Sequence, residues 1–242
     1  MKFDLNCDLG EGEPRIRTCA LMRRVTSANV ACGGHAGDVE SMRECVVLAK
    51  EQGVRLGAHP GWWDRVGFGR STAYLTPDEL ELLLLHQVGA LEKIARESGV
   101  ALQHIKLHGA LYHATEADEC LGRRYVDTIA RWWPDAIIFA RSGGSVVRWG
   151  RRANVRVWEE VFADRAYHDD GSLVSREQMN ALVRNPAAVS ERVHPLRERG
   201  EIESVTGRCL RMRANTICLH ADTPHAIQIA EVVSKMLRKK SR

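Results

Sequence analysis

No apolar run in this 242-residue sequence is long enough to cross a bilayer. The longest aliphatic block, 82–85 within E-L-E-L-L-L-L-H, compares with the roughly 20 apolar residues a spanning helix needs. The opening M-K-F-D-L-N has acidic and polar residues where a signal peptide needs an apolar segment. The seven cysteines (Cys7, Cys19, Cys32, Cys45, Cys120, Cys209, Cys218) are odd in number, widely spaced and without a C-x-x-C pair. That argues against a zinc ribbon or a disulfide framework and for reduced thiols. A cytoplasmic location is the expectation. Charge of one sign is scarce: 35 Lys and Arg against 31 Asp and Glu leave a formal +4. Basic residues cluster only in the tail Arg238-Lys239-Lys240-Ser241-Arg242, which reads as a solvated helix end. Nucleic acid and membrane are therefore not expected as partners. A G-x-x-x-x-G-K-[ST] loop is also missing, so tight ATP binding by this chain is not expected. Ser142-Gly143-Gly144-Ser145 reads first as a plain turn.

What the sequence does contain is alternation. In 102–112, L-Q-H-I-K-L-H-G-A-L-Y, the residues His104, Lys106 and His108 alternate with Ile105 and Leu107. The two-residue period of a strand puts the three polar side chains on one face, and Gly109 breaks the run. Residues 3–9 repeat the pattern, with Asp4, Asn6 and Asp8 opposite Phe3, Leu5, Cys7 and Leu9, before the turn Gly10-Glu11-Gly12. Segments 25–31, 54–58, 136–140, 155–158 and 215–220 supply five more strands. Helices are expected over 41–52 (Asp38 as cap, Gly53 as stop), 76–98 (opened by Thr76-Pro77-Asp78-Glu79), 117–132, a short piece of 143–150, and up to Arg238. Segment 162–213 is too long for one crossover. Turns at Asp169-Asp170-Gly171 and Thr206-Gly207 divide it into helices near 176–183 and 187–199 and a small hairpin. Seven strands alternating with helices predict an α/β protein, a seven-stranded parallel (βα)7 barrel of distorted TIM-like form. With no repeat or linker, the expectation is a single domain over 1–242 with an insertion around 164–213.

Six of the seven predicted strands, all but 136–140, end in reactive or hydrogen-bonding side chains. In order these are Asn6, Asp8 and Glu11; Asn29 and His35; His59; Lys106 and His108; Glu160, Asp164 and Arg165; His220 and Asp222. Closing the sheet brings them to one mouth. Plainer duties are open to several. Asn6 and Asn29 can satisfy a polar lumen, Cys7, Cys32 and Cys218 read as packing residues, and Trp62 and Trp63 serve as loop anchors or a lid. Lys106 is hardest to explain by packing, because a buried lysine is costly unless a carboxylate pairs with it. A divalent metal on Asp8, His35 and His59 is a further possibility, although these come from three separate elements.

Long stretches of this pattern resemble the LamB/YcsF family: D-L-N-C-D-L-G-E at 4–11, S-A-N-V-A-C-G-G-H-A-G-D at 27–38, G-A-H-P at 57–60, G-F-G-R at 67–70, K-L-H-G-A-L-Y at 106–112, E-V-F-A-D-R-A-Y at 160–167 and C-L-H-A-D at 218–222. Leu107, Ser71, Ala221, Val39 and Trp63 depart from the usual residues. The resemblance implies a (βα) barrel of the glycoside hydrolase/deacetylase type and adds Arg70 and Tyr112 to the candidate substrate-binding residues. It also implies a subunit of prokaryotic 5-oxoprolinase, which opens 5-oxo-L-proline to L-glutamate with ATP and two further subunits. ATP would be bound by those partners, and this chain would hydrolyse the activated lactam. On that expectation Asp8 is the general base, with Glu160 the alternative. Lys106 and His108 stabilise oxyanion or phosphate charge, Arg165 grips a carboxylate or phosphate, and His35, His59 and His220 are proton shuttles or metal ligands. Two rivals remain: a metal-dependent amidase or deacetylase acting without ATP, and a non-catalytic binding subunit.

Overall fold

The computed structural model describes residues 3–72 and 74–238; the tail from Lys239 onward lies outside them. Seven parallel strands close into a barrel: β1 (Asp4–Leu9), β2 (Ser27–Ala31), β3 (Arg55–His59), β4 (Leu102–Ile105), β5 (Ile137–Arg141), β6 (Val157–Phe162) and, after a two-stranded antiparallel sheet of β7 (Glu201–Glu203) and β8 (Cys209–Arg211), β9 (Thr216–His220), which pairs with β6 and β1. The helices α1 (Arg15–Met22), α2 (Val39–Gln52), α3 (Pro77–Glu97), α4 (Gly109–Ala117), α5 (Glu119–Trp132), α6 (Ser145–Arg152), α7 (Pro186–Arg199) and α8 (Ala226–Arg238) lie between or after the strands. Among the described residues no helix is long and apolar enough to cross a membrane.

β1 shows how the sequence sets the layers. Leu5, Cys7 and Leu9 are buried in the apolar core. Asp4, Asn6 and Asp8 instead bond across the lumen to Thr216, Glu160 and Lys106. The expected caps are present: Asp38 accepts from the Ser41 N–H, Gly53 ends α2 at φ 64°, and Thr76 and Glu79 form a reciprocal capping box.

Four details differ from the sequence reading. Helix α1 has no side-chain cap and buries only Thr18, Leu21 and Met22, so it carries little amphipathic signal. β4 stops at Ile105, yet the Lys106 and His108 N–H groups still bond to the Ala58 and Pro60 carbonyls. The polar alternation therefore continues past the strand, and Gly109-Ala110-Leu111-Tyr112 already belongs to α4. β6 begins two residues late and extends through Phe162, so Glu160 sits inside it. The helix expected near 176–183 is absent. Backbone bonds from Ala166 N to Ala181 O and from Val183 N to Asp164 O, with bridges Arg165–Leu182 and Tyr167–Leu173, hold that segment as irregular extended chain. Its own apolar cluster is Ala166, Val174 and Ala181.

Candidate active site

The barrel lumen is polar from bottom to top. At the bottom Asp4 accepts from Ser27, Thr26, Thr216 and Arg55. One layer up, Lys106 Nζ lies 2.9 Å from Asp8 Oδ1, 3.1 Å from Glu160 Oε1 and 3.0 Å from Cys218 Sγ. Asn29 donates to Asp8 Oδ1 and Asn6 to Glu160 Oε1, while the Tyr112 hydroxyl donates to Glu160 Oε2. Burial alone would lower the Lys106 pKa, but Asp8, Cys218 and Glu160 outweigh it and raise it well above the ordinary value. Burial pushes the Asp8 carboxyl up, yet His59 and Lys106 bring it well below the usual range. An ammonium between two carboxylates satisfies the requirement that buried charge be paired. It also separates the carboxylates by availability. Both Glu160 oxygens are engaged by donors, whereas Asp8 lines a cavity of about 530 Å³ together with His59, Lys106 and His108, and its Oδ2 lies 3.4 Å from His59 Nε2 and 3.8 Å from His220 Nε2.

Beside Asp8, Asp164 fixes His220. Asp164 Oδ1 lies 2.9 Å from His220 Nδ1, and Oδ2 accepts from the His220 N–H and the Thr223 hydroxyl. A carboxylate can only accept, so the proton of neutral His220 is on Nδ1, and Nε2, 3.8 Å from Asp8 Oδ2, presents a lone pair. Burial would raise the Asp164 pKa, but His220 and Thr223 bring it to about 2. Phe162 stacks against the His220 ring, with centroids 5.6 Å apart.

The wall opposite is cationic. Arg165 is 4% exposed, donates to the Val174 carbonyl and lines the cavity, yet its Nε has no hydrogen-bond partner. Burial and the nearby Arg176 push its pKa down to about 10. At the rim Arg70 and Arg176 both bind Asp222, at 2.7 and 3.0 Å.

A second cluster sits at the mouth. Glu11 Oε1 lies 2.9 Å from His35 Nε2, 3.3 Å from His108 Nδ1 and 3.8 Å from His59 Nε2. His35 and His108 stack with centroids 3.6 Å apart. Among the described residues two groups have metal-ligating atoms close together: Glu11, His35, His59 and His108, and Asp8, Cys218 and His220. The second already holds a cation, the Lys106 ammonium. Of the three metal candidates named from sequence, His35 and His59 belong to the first group and Asp8 to the second.

The structure thus brings Asn6, Asp8, Asn29, Lys106, Tyr112, Glu160, Asp164 and His220 into one network, places Glu11, His35, His59 and His108 above it, and leaves Arg70 and Asp222 at the rim. Cys218, a packing residue in the sequence reading, touches the lysine, and burial raises its thiol pKa well above the ordinary value. The alternation T-I-C-L-H of β9 places Thr216 and Cys218 on the His220 face, a usable signal. The cavity wall at 172–178 overlaps the helix expected near 176–183 only at 176–178, and no motif in the sequence marks it.

The LamB/YcsF family model matches residues 3–242. The chain belongs to the LamB/YcsF family. It is 42% identical to a protein from Nitrobacter winogradskyi named as a 5-oxoprolinase subunit, covering 98% of this chain and 95% of that one. A protein of the same name from Pyrococcus abyssi is 41% identical, over 99% and 95% of the two chains. The solved lactam utilization protein of Thermus thermophilus superposes with a TM-score of 0.90 at 34% identity, over 98% of this chain and 96% of that one. A closed seven-stranded parallel, TIM-like barrel is thus the form of this LamB/YcsF chain.

Proposed function

We propose that this LamB/YcsF chain is the lactam-hydrolysing subunit of an ATP-dependent 5-oxoprolinase. The name that its relatives carry, that of a 5-oxoprolinase subunit, supports a role in a multi-subunit enzyme acting on 5-oxoproline. A five-membered lactam is a stable amide, so its opening is coupled to ATP. The chain has no Walker loop, which leaves phosphorylation of the lactam oxygen to two partner subunits. Water then adds to the activated ring carbon here, the C–N bond breaks as the nitrogen takes a proton, and the acyl phosphate so formed loses inorganic phosphate to a second water to give glutamate.

The observation that carries this reading is one cavity lined by Asp8, Lys106, His220 and the buried Arg165. Asp8 Oδ2 orients the water and accepts its proton. That proton passes from Asp8 to the Nε2 lone pair of His220, 3.8 Å away and held in one tautomer by Asp164, and His220 returns it to the leaving nitrogen. Lys106 stabilises negative charge developing beside Asp8, and Arg165 grips the substrate carboxylate or the phosphate. Glu160 is the less suitable base because both its oxygens are engaged. The test is glutamate formation from 5-oxoproline, with this chain added to or omitted from its co-expressed partners and ATP. Glutamate should appear only when the chain and ATP are both present.

A further inference from the structure

We propose that Glu11 Oε1, His59 Nε2 and His108 Nδ1 bind one divalent first-row transition ion, with His35 orienting the carboxylate. Neighbouring carbonyls fix where the imidazole protons are. His59 Nδ1 lies 2.8 Å from the Lys106 carbonyl oxygen, and His108 Nε2 lies 2.9 Å from the Phe68 carbonyl oxygen. A carbonyl can only accept, so each nitrogen facing it carries the proton and the other nitrogen is bare in the neutral ring. The two bare nitrogens point at each other across 3.0 Å, and both face Glu11 Oε1, at 3.8 Å from His59 and 3.3 Å from His108. With both imidazoles neutral, three acceptors converge in a buried place with no donor among them. A second proton on His59 would serve its contact with His108 but leave the His108–Glu11 contact without a hydrogen.

One ion answers all three lone pairs. Ligand atoms about 2.1 Å from a common ion lie roughly 3.0–3.4 Å apart, and the observed 3.0, 3.3 and 3.8 Å triangle is close to that before any ion draws it together. The backbone carbonyls on the far nitrogens are the supports that fix the tautomer of metal-binding histidines. His35 behaves differently. Its Nδ1 is buried without a partner, so the proton of its neutral ring is used at Nε2, donated to Glu11 Oε1 at 2.9 Å. Two imidazoles and one carboxylate favour ions such as Zn²⁺, Mn²⁺, Fe²⁺ or Co²⁺ over the all-oxygen preference of Mg²⁺ and Ca²⁺. Bound there, the ion supplies a Lewis acid beside Asp8 Oδ2, which is 3.4 Å from His59 Nε2. The Asp8, Cys218 and His220 group is the wrong choice because Lys106 Nζ already touches Asp8 and Cys218.

The test needs neither partners nor 5-oxoproline, so it succeeds or fails separately from the proposed function. The full chain is stripped with a chelator, titrated calorimetrically with Zn²⁺ and assayed for metal content, and its Co²⁺ complex is examined by visible absorption. One ion per chain, a raised melting temperature and Co²⁺ bands of nitrogen–oxygen ligation are expected. His108→Ala and the isosteric Glu11→Gln should each weaken Zn²⁺ binding about a hundredfold or more, while Cys218→Ala binds as the parent does. Circular dichroism confirms folding, and Glu11→Gln serves if the histidine variant does not fold. Absence of stoichiometric Zn²⁺ and Co²⁺ binding by the folded parent would overturn the proposal. So would undiminished binding in folded Glu11→Gln, or loss of binding in folded Cys218→Ala.

Discussion

Lys106 Nζ and Asp8 Oδ1 are 2.9 Å apart at the centre of the lumen, and the lysine also bonds Glu160, with all three side chains almost wholly buried. Lys106→Met leaves two carboxylates without their shared counter-charge. Breaking a buried pair in this way costs about 3–5 kcal/mol, and loss of a preorganised charge-stabilising group lowers turnover by roughly a hundredfold or more. Chemical denaturation and glutamate assays on the variant measure the two effects. Near-parental turnover would remove Lys106 from the chemistry.

Asp164 is fully buried with a pKa of about 2, below its value in an unfolded chain. A depressed carboxyl stabilises the fold above the unfolded pKa, near 3.9, and that contribution is lost as pH falls toward 2. By linkage it amounts to roughly 2–3 kcal/mol. Asp164→Asn should therefore lose stability less steeply than the parent between about pH 4 and pH 2. The amide also leaves His220 free to take the wrong tautomer, so turnover should fall by about 10²–10⁴. Parallel acid-unfolding curves for the two proteins would show that Asp164 has no such linkage.

Arg165 offers a buried guanidinium whose Nε is unpartnered. Arg165→Lys keeps the charge but loses the planar fork, so KM for 5-oxoproline should rise at least about tenfold with a smaller change in kcat. An analogue with the carboxylate converted to an amide should be less affected by the substitution. Equal loss with both substrates would assign Arg165 to the phosphate.

Gly109 has φ 49°, and a Cβ there would sit 2.6 Å from the Gly69 carbonyl oxygen. That backbone adjoins Phe68, whose carbonyl holds His108. Gly109→Val should destabilise the fold by about 2–4 kcal/mol and reduce activity, through strain and displacement of His108. Unchanged melting temperature and turnover would show that the turn makes no such demand.

The inward faces of β1, β4 and β9 are legible in the sequence because a strand reports its two sides by simple alternation. That is enough to place Asp8, Lys106 and His220 in one lumen. The wall at 172–178 is not legible, because tertiary backbone pairing between Ala166 and Ala181 sets its path and no periodicity records that. The Glu11, His59 and His108 triangle is hidden for a related reason. Its protons are assigned by the carbonyls of Phe68 and Lys106, and residue spacing carries no trace of which nitrogen is bare. Leu107, buried between Lys106 and His108, lines the cavity without disturbing either neighbour's inward direction.

The hydrolytic step is the role proposed for this LamB/YcsF chain, and Asp8 is the residue on which it depends. The most direct measurement is glutamate production by the co-purified complex carrying Asp8→Asn, with subunit stoichiometry checked on the same sample. Turnover should fall at least about a hundredfold in a complex that still assembles, and the parent complex should make no glutamate when ATP is withheld. Near-parental turnover by the Asp8→Asn complex would make the chain a binding subunit, and glutamate formed by the parent without ATP would make it an ATP-independent amidase.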